Sequence, residues 1–333
     1  MDKELIGGSV VDVYHWPVCW QSPHPEEEGK EGEGAEVVDI ILFPGNPGLL
    51  FFYLPFLEGI GKALGAHRCA VHGFGLLGHH LSTEGDAGEV DEGKDLGLNA
   101  QCSHAYNCVR SISATRGKNV KLVLIGHSIG SYLVLDMLQK HLELTSHLRK
   151  VIHLMPFIRW DNIPLVHKFK LTLYTYFEST VNSLVHFLTE RLLRLPLNDR
   201  ERLIRHVGGL NEADTDDVLP LLAGRLLSAR LVRNFFLMGR DEIEAVPREQ
   251  ARMMEMVKAL DGLCPQLIVI TDNDEWSPED GVAYYRSAYP NSRVVFLPSV
   301  KHGFTFSFNS SAAVAKVISD FFLNANSVRL SKL

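Results

Sequence analysis

The stretch NVKLVLIGHSIGSYLVLDMLQKHL, residues 119–142, decides how the rest of the sequence is interpreted. Residues 119–125 form an apolar, β-branched run of strand length, which is typical of a strand buried on both faces. Residues 126–130 then read G-H-S-I-G, and good helix formers follow them. A strand, a G-x-S-x-G turn and a helix are together typical of a nucleophile elbow, in which Ser128 exposes its Oγ. The alternative is a glycine-rich turn without chemistry.

Composition limits the classes of protein to consider. The chain has 333 residues, 46% hydrophobic and 22% charged, which suits one large globular domain with an insertion. The net charge of −7 gives no general basic face, so we expect no nucleic-acid partner. The five cysteines form no C-x-x-C pair, and we expect reduced thiols, no metal and no organic cofactor. We see neither a signal peptide nor an apolar run of membrane-spanning length.

Apolar runs of strand length alternate with helical patterns on both sides of the elbow. We expect strands at residues 10–20, 37–43, 68–74, 148–155, 266–271 and 293–297. Helices are expected at residues 53–64, 98–116, 279–289 and 312–323. This alternation predicts the α/β class, with a mostly parallel central sheet that is flanked by helices.

One long segment interrupts this alternation. Residues 157–263 show no clear strand pattern, so we expect a helical cap or lid there, inserted into a core of residues 1–156 and 264–333. The most apolar part, residues 171–197, has apolar positions at three- and four-residue steps and predicts an amphipathic helix. Periodicity leaves open whether this helix packs on the sheet, lines an acyl-chain pocket or dips into a lipid surface.

A serine nucleophile needs a base and an acid that orients the base, and in this type of turn both follow the serine along the chain. His302 is the candidate base, because it stands between the last predicted strand and the last predicted helix. The acid is expected just after the preceding strand, in residues 271–278. Asp274 is favoured because it stands four residues before Pro278, and Asp272 is the alternative.

Two backbone N–H groups are expected to bind the oxyanion that forms during such a reaction. One belongs to Ile129, the residue after the serine. The second is expected from PGNPG, residues 44–48, where the two prolines have no N–H to donate. Asn46 occupies the expected place after the glycine, and its side chain offers a further donor. A rigid turn without a catalytic role is the alternative.

Several motifs occur together: FPGNPG with FFYLPF close behind, then GLNAQ, KLVLIGHSIGSY, DEWSP and a late HGF. This combination resembles the lipid droplet-associated hydrolase family, a group with the α/β-hydrolase fold, over roughly residues 36–155 and 264–308. The resemblance implies a nucleophile, an acid and a base at Ser128, Asp274 and His302. It also implies lipid esters such as sterol esters as substrates, and droplet or membrane binding through residues 171–197.

The expected function is the hydrolysis of acyl or sterol esters through a Ser-His-Asp triad and an acyl-enzyme. Lipase, esterase, thioesterase and acyltransferase activities are not separable on these residues. The alternative is an adaptor at a lipid droplet or membrane surface with weak or vestigial esterase activity.

The last three residues concern location. Ser331–Leu333 reads S-K-L, which at a free C-terminus is an address read by the peroxisomal import receptor. We therefore expect a peroxisomal location, with the surface of lipid droplets or of the endoplasmic reticulum as the alternative.

Overall fold

The structure is a computed structural model, and it describes residues 2–6, 9–16, 38–65, 69–79, 96–116, 121–161, 165–207, 223, 228–272, 274, 276 and 280–323. The peroxisomal address expected at Ser331–Leu333 lies outside these residues.

An eight-stranded sheet organises the described residues. Its strands are β1 (Asp2–Ile6), β2 (Ser9–Trp16), β3 (Val38–Phe43), β4 (Cys69–Phe74), β5 (Leu122–His127), β6 (Leu148–Leu154), β7 (Gln266–Ile270) and β8 (Arg293–Phe296). They lie in the order β1-β2-β4-β3-β5-β6-β7-β8. The first two pairs, β1/β2 and β2/β4, are antiparallel, and the pairs from β4 to β8 are parallel. The mostly parallel sheet predicted from the sequence is therefore confirmed.

Helices cover both faces of this sheet. They are α1 (Leu54–Leu64), α2 (Leu98–Arg116), α3 (Ile129–Lys140), α4 (Leu165–Leu193), α5 (Leu197–Val207), α6 (Ala229–Asp261), α7 (Gly281–Ala288) and α8 (Phe308–Leu323). None of the helices in the described ranges combines the length and the apolar character that a membrane span requires.

Strand β3 shows why its sequence is a continuous apolar run. Ile40 and Leu42 pack on one face of the sheet, in the cluster that includes α1 and α8. Ile41 and Phe43 pack on the other face, in the cluster that includes α2, α3 and α6. Each of the four side chains is at most 1% exposed, and burial of one such side chain contributes about 1.5–3 kcal/mol. In a strand that is covered on both faces every side chain is buried, so polar and apolar residues do not alternate along it.

The start of the sheet differs from the sequence-based expectation. Of the expected strand at residues 10–20, residues 10–16 belong to β2 and residues 17–20 lie outside the described ranges, and an additional strand, β1, pairs with β2. Strand β1 has the sequence DKELI, in which only Ile6 is buried. An edge strand with one buried residue carries no apolar alternation, so this segment has no pattern that predicts a strand.

Between β6 and β7 the regular elements of the described residues are the helices α4, α5 and α6, and no strand occurs among those residues. Helix α4 is interrupted at Phe177, where the backbone angles are φ −129° and ψ 31°. Helix α6 extends over 33 residues, and its later part joins the core through Val246, Met253 and Val257. The division into a core and a cap at residues 157–263 stays a prediction, because one helix contributes to both.

Candidate active site

Four loops that carry predicted site residues leave the same edge of the sheet. Strands β3, β5, β7 and β8 run parallel, so their carboxyl ends lie together. The loops after them contain Asn46, Ser128, Asp274 and His302 in that order. In α/β proteins the carboxyl edge of the sheet is where ligands bind. The fold therefore places residues from distant parts of the sequence at one candidate site.

Ser128 stands at the turn between β5 and α3 with φ 53° and ψ −123°, a backbone conformation that residues other than glycine rarely adopt. The two glycines of the motif are required because there is no room for a side chain at either position. A Cβ on Gly126 would lie 2.5 Å from the backbone of Ser131, and a Cβ on Gly130 would lie 2.2 Å from the carbonyl oxygen of Phe43. The turn therefore has the sharp geometry of a nucleophile elbow.

Ser128, His302 and Asp274 form a hydrogen-bonded line. Oγ of Ser128 lies 2.9 Å from Nε2 of His302. Nδ1 of His302 lies 2.8 Å from Oδ2 of Asp274. An ionised carboxylate only accepts hydrogen bonds, so Nδ1 carries the imidazole hydrogen, and Nε2 is left to accept the serine hydroxyl. A proton can therefore pass from the serine to the histidine without movement of either side chain.

The Asp274 carboxylate is itself held in place. Its side chain is 2% exposed, and Oδ1 accepts the backbone N–H of Trp276 at 2.9 Å. The Trp276 ring packs against the ring of Phe157 at a centroid distance of 5.3 Å. Asp272, the alternative acid, is exposed to solvent. Of the two aspartates, Asp274 is the one hydrogen-bonded to His302 in the described structure.

The loop after β3 lies directly beside the serine. A Cβ on Gly45 would come within 2.9 Å of the Ser128 Cβ. The Gly45 N–H donates to the Tyr53 hydroxyl at 2.8 Å, and the Gly48 N–H donates to the Gly45 carbonyl at 2.7 Å. Of the three N–H groups in the segment 44–48, that of Asn46 is the one for which the described residues provide no acceptor.

The side chain of Asn46, which was expected to offer a further oxyanion donor, is hydrogen-bonded elsewhere. Its Nδ2 donates to the carbonyl oxygen of Phe235, in helix α6, at 3.0 Å. The backbone N–H of Asn46 and that of Ile129 therefore remain the candidate oxyanion donors. Ile129 is the first residue of α3, where an N–H has no acceptor within the helix.

Sequence reasoning missed two residues that connect three loops of the site. The Tyr53 hydroxyl, which accepts the Gly45 N–H, donates to Nδ1 of His127 at 2.5 Å. Nε2 of His127 donates to the carbonyl oxygen of His302 at 3.0 Å. Burial lowers the pKa of His127 well below its usual value, so the ring carries a single hydrogen, as this pattern requires. The bridge fixes the loop after β3, the turn at Ser128 and the loop that carries His302 relative to one another.

No sequence signal identifies this bridge. Tyr53 and His127 are separated by 74 residues, and each belongs to an apolar context typical of the core. His127 occupies a variable place of the G-x-S-x-G pattern, so the motif itself predicts nothing about its partner.

The sequence is similar to that of proteins from one family. The family model described as "Lipid-droplet associated hydrolase" matches residues 36–305. A human protein named lipid droplet-associated hydrolase is 27% identical over 284 residues, which cover 82% of each chain. The chicken protein of the same name is 24% identical over 296 residues, which cover 84% of this chain and 83% of the chicken chain.

Solved structures show the same fold at low sequence identity. An esterase from Thermogutta terrifontis has a TM-score of 0.55 and 16% identity, with 97% of this chain and 98% of the esterase covered. The fold is thus that of the α/β-hydrolases. Together with the family match over residues 36–305, it shows that the chain belongs to the lipid-droplet associated hydrolase family.

Proposed function

We propose that this hydrolase is a serine esterase that cleaves fatty acyl or sterol esters. Ser128 is the nucleophile, His302 is the base and Asp274 is the acid that orients the base. The observation that carries the proposal is the hydrogen-bonded line from Ser128 Oγ through His302 to Asp274, at a strained strand–helix turn.

The reaction begins when Ser128 Oγ attacks the ester carbonyl and Nε2 of His302 takes its proton. Asp274 stabilises the imidazolium that forms. The N–H groups of Asn46 and Ile129 bind the oxyanion, and loss of one such donor typically lowers kcat about 10²–10³-fold. His302 then returns the proton to the departing alcohol. A water molecule, activated by the same histidine, releases the fatty acid from Ser128.

A fluorophosphonate probe tests this function against the adaptor alternative. The probe reacts with an activated serine, so the wild-type protein should be labelled, and the Ser128→Ala variant should not. A folded wild-type protein that resists labelling would favour an adaptor whose triad is vestigial. A thioester and an ester of the same acyl chain, compared at equal concentration, separate thioesterase from esterase activity.

The surface of α4 supports a lipid substrate. Several of its large apolar side chains are more than half exposed, namely Phe169, Tyr176, Phe177, Leu184, Phe187 and Leu188. A group of large exposed apolar side chains on one helix is typical of contact with a lipid or protein partner. Together with the family's association with lipid droplets, this surface supports a droplet or membrane surface as the partner. The adaptor alternative rests on the same observation.

Charges on this surface should weaken lipid binding. We expect the combined variant Leu184→Asp, Phe187→Asp and Leu188→Asp to bind liposomes or isolated droplets about 100-fold less tightly, because each removed apolar side chain and each added charge opposes burial in lipid. All three side chains are more than half exposed, so the fold should tolerate the change. Flotation with liposomes measures binding, and a soluble short-chain ester measures turnover.

The control for this variant adds the same three charges elsewhere. Asn99→Asp, Ser103→Asp and Ala114→Asp place them at exposed positions of α2. The control should bind lipid like the wild type. If the α4 variant also kept its binding, the helix would be a cap with no role at the lipid surface.

A peroxisomal location stays a prediction of the sequence. We expect the protein with a fluorescent tag before Met1 to form peroxisomal puncta that vanish when Ser331–Leu333 is deleted, because the import receptor reads these residues at a free C-terminus. Rings around lipid droplets that the deletion does not alter would contradict it.

A further inference from the structure

Helix α6 packs against residues 44–48, the oxyanion loop of the proposed esterase. The Asn46 Nδ2 donates to the Phe235 carbonyl of α6 at 3.0 Å. One turn further along α6, a Cβ on Gly239 would lie 3.8 Å from the same Nδ2. The Asn234 Nδ2 donates to the carbonyl of Gly78, in the loop after β4, at 2.8 Å. The first of these hydrogen bonds ties the Asn46 side chain to α6, next to Gly45, whose Cβ would come within 2.9 Å of the Ser128 Cβ.

The same helix presents a buried carboxyl group to Asn46. Glu242 is 5% exposed, and its side chain lies near that of Asn46, close enough for the amide to lower the pKa of the carboxyl. At this contact neither Oε1 of Glu242 nor Oδ1 of Asn46 has a hydrogen-bond partner among the described residues. Both oxygens are acceptors as long as the carboxyl is ionised, and a buried acceptor without a partner is costly. A neutral carboxyl can both accept from Nδ2 and donate its own O–H to Oδ1.

We propose that Glu242 is a positioning residue for the oxyanion loop, and that it acts as a neutral carboxylic acid hydrogen-bonded to the Asn46 side chain. In this role it fixes the orientation of the peptide whose N–H binds the oxyanion. The inference rests on the proposed esterase function, because it assigns the Asn46 N–H to the stabilisation of a reaction intermediate.

The surroundings of Glu242 favour the neutral form at physiological pH. Burial raises its pKa, Asp241 on the same helix raises it further, the hydrogen bond from Asn46 lowers it, and the result is a pKa of about 8. Asp241 is itself paired with Arg240 and accepts the N–H of Leu98. On the loop side, the His79 ring is hydrogen-bonded to the carbonyl of Pro47.

Ionisation should therefore disturb the loop. Above a pH of about 8 the carboxyl becomes an anion that faces the Oδ1 of Asn46, and the two oxygens repel each other. The Oδ1 of Asn46 then loses the O–H that it accepts, although Nδ2 keeps its hydrogen bond to the Phe235 carbonyl, and we expect the repulsion to shift the Asn46 N–H away from the oxyanion position. A displacement of about 1 Å in such a group typically costs up to about 100-fold in rate. The effect belongs in kcat, since the oxyanion exists only after the serine has attacked.

Two substitutions separate the hydrogen bond from the charge. Glu242→Gln keeps the shape, and its amide can also accept from and donate to Asn46. Glu242→Leu fills the same space without either hydrogen bond. The matched control is Glu244→Gln, which removes an exposed carboxylate two residues further along α6.

The experiment measures kcat and KM for a soluble short-chain ester from pH 6 to pH 10, with thermal unfolding of each variant as the test of folding. We expect wild-type kcat to fall about tenfold between pH 7 and pH 9, as a neutral acid with a pKa of about 8 requires. This decline should be absent in Glu242→Gln and retained in Glu244→Gln. Glu242→Leu should lower kcat at pH 7 about 10–100-fold with KM unchanged.

Infrared difference spectra of wild type and Glu242→Gln at pH 7 add a readout that does not depend on turnover. They should show the carbonyl band of a protonated carboxyl in the wild type. The proposal is overturned if this band is missing, if folded Glu242→Leu keeps wild-type kcat, or if Glu242→Gln keeps the alkaline decline. Equal turnover by the wild type and Ser128→Ala would instead overturn the proposed esterase function, and the positioning role with it.

Discussion

Alanine in place of Ser128, and separately in place of His302, is expected to lower turnover of a short-chain ester by about 10⁴–10⁶-fold. The serine supplies the attacking oxygen, and the histidine 2.9 Å away is the group placed to take its proton. Because the two act in one step, the double variant should be no worse than either single variant. Initial rates with a soluble ester measure the loss without any requirement for lipid binding.

The fold should survive both substitutions. Ser128→Ala removes one oxygen and does not change the backbone conformation that the turn requires. The His302 side chain is 20% exposed, so its truncation leaves a small cavity at most. Circular dichroism and thermal unfolding check this. The matched control is His141→Ala, at the far end of α3, which should retain wild-type turnover. If the His302→Ala variant hydrolysed the ester at a near-normal rate, the base would have to be another residue.

Local sequence patterns predicted the parts of the fold that are decided by local contacts. Helix α2 begins and ends at Leu98 and Arg116, as its apolar spacing indicated, and the strands at the centre of the sheet are continuous apolar runs because helices cover both faces. Helix α8 begins at Phe308, four residues before the predicted start. There the Ser307 hydroxyl accepts the N–H of Ser310 at 3.3 Å and caps the helix. The spacing of apolar residues does not predict where a polar side chain caps a helix.

The features that the sequence could not predict depend on contacts between distant segments. Periodicity found the apolar positions of α4 but could not say that Leu184 and Leu188 are exposed, since an amphipathic pattern has the same period against a sheet and against lipid. The contact of Glu242 with Asn46 joins residues from opposite halves of the chain. Both residues look like ordinary polar positions until the fold brings them together.

The acid of the predicted triad gives the second large effect. We expect Asp274→Asn to lower kcat about 10⁴-fold, although the variant keeps the size and the contacts of the side chain. The asparagine amide donates where the carboxylate accepted, so Nδ1 of His302 gives up its hydrogen and Nε2 carries it instead. The histidine then presents a hydrogen, and no longer a lone pair, to the Ser128 hydroxyl. Initial rates and thermal unfolding measure the loss and the integrity of the fold.

Asp272→Asn is the matched control, because it makes the same chemical change two residues away on an exposed side chain. It should keep wild-type kcat, since His302 is hydrogen-bonded to Asp274 at 2.8 Å. The reverse ranking of the two variants would assign the acid to Asp272 and would require the loop to rearrange when substrate binds. Equal, small losses in both would mean that Ser128 and His302 act as a dyad, with the histidine oriented by its backbone contact to His127. The two aspartate variants thus decide among a triad through Asp274, a triad through Asp272 and a dyad.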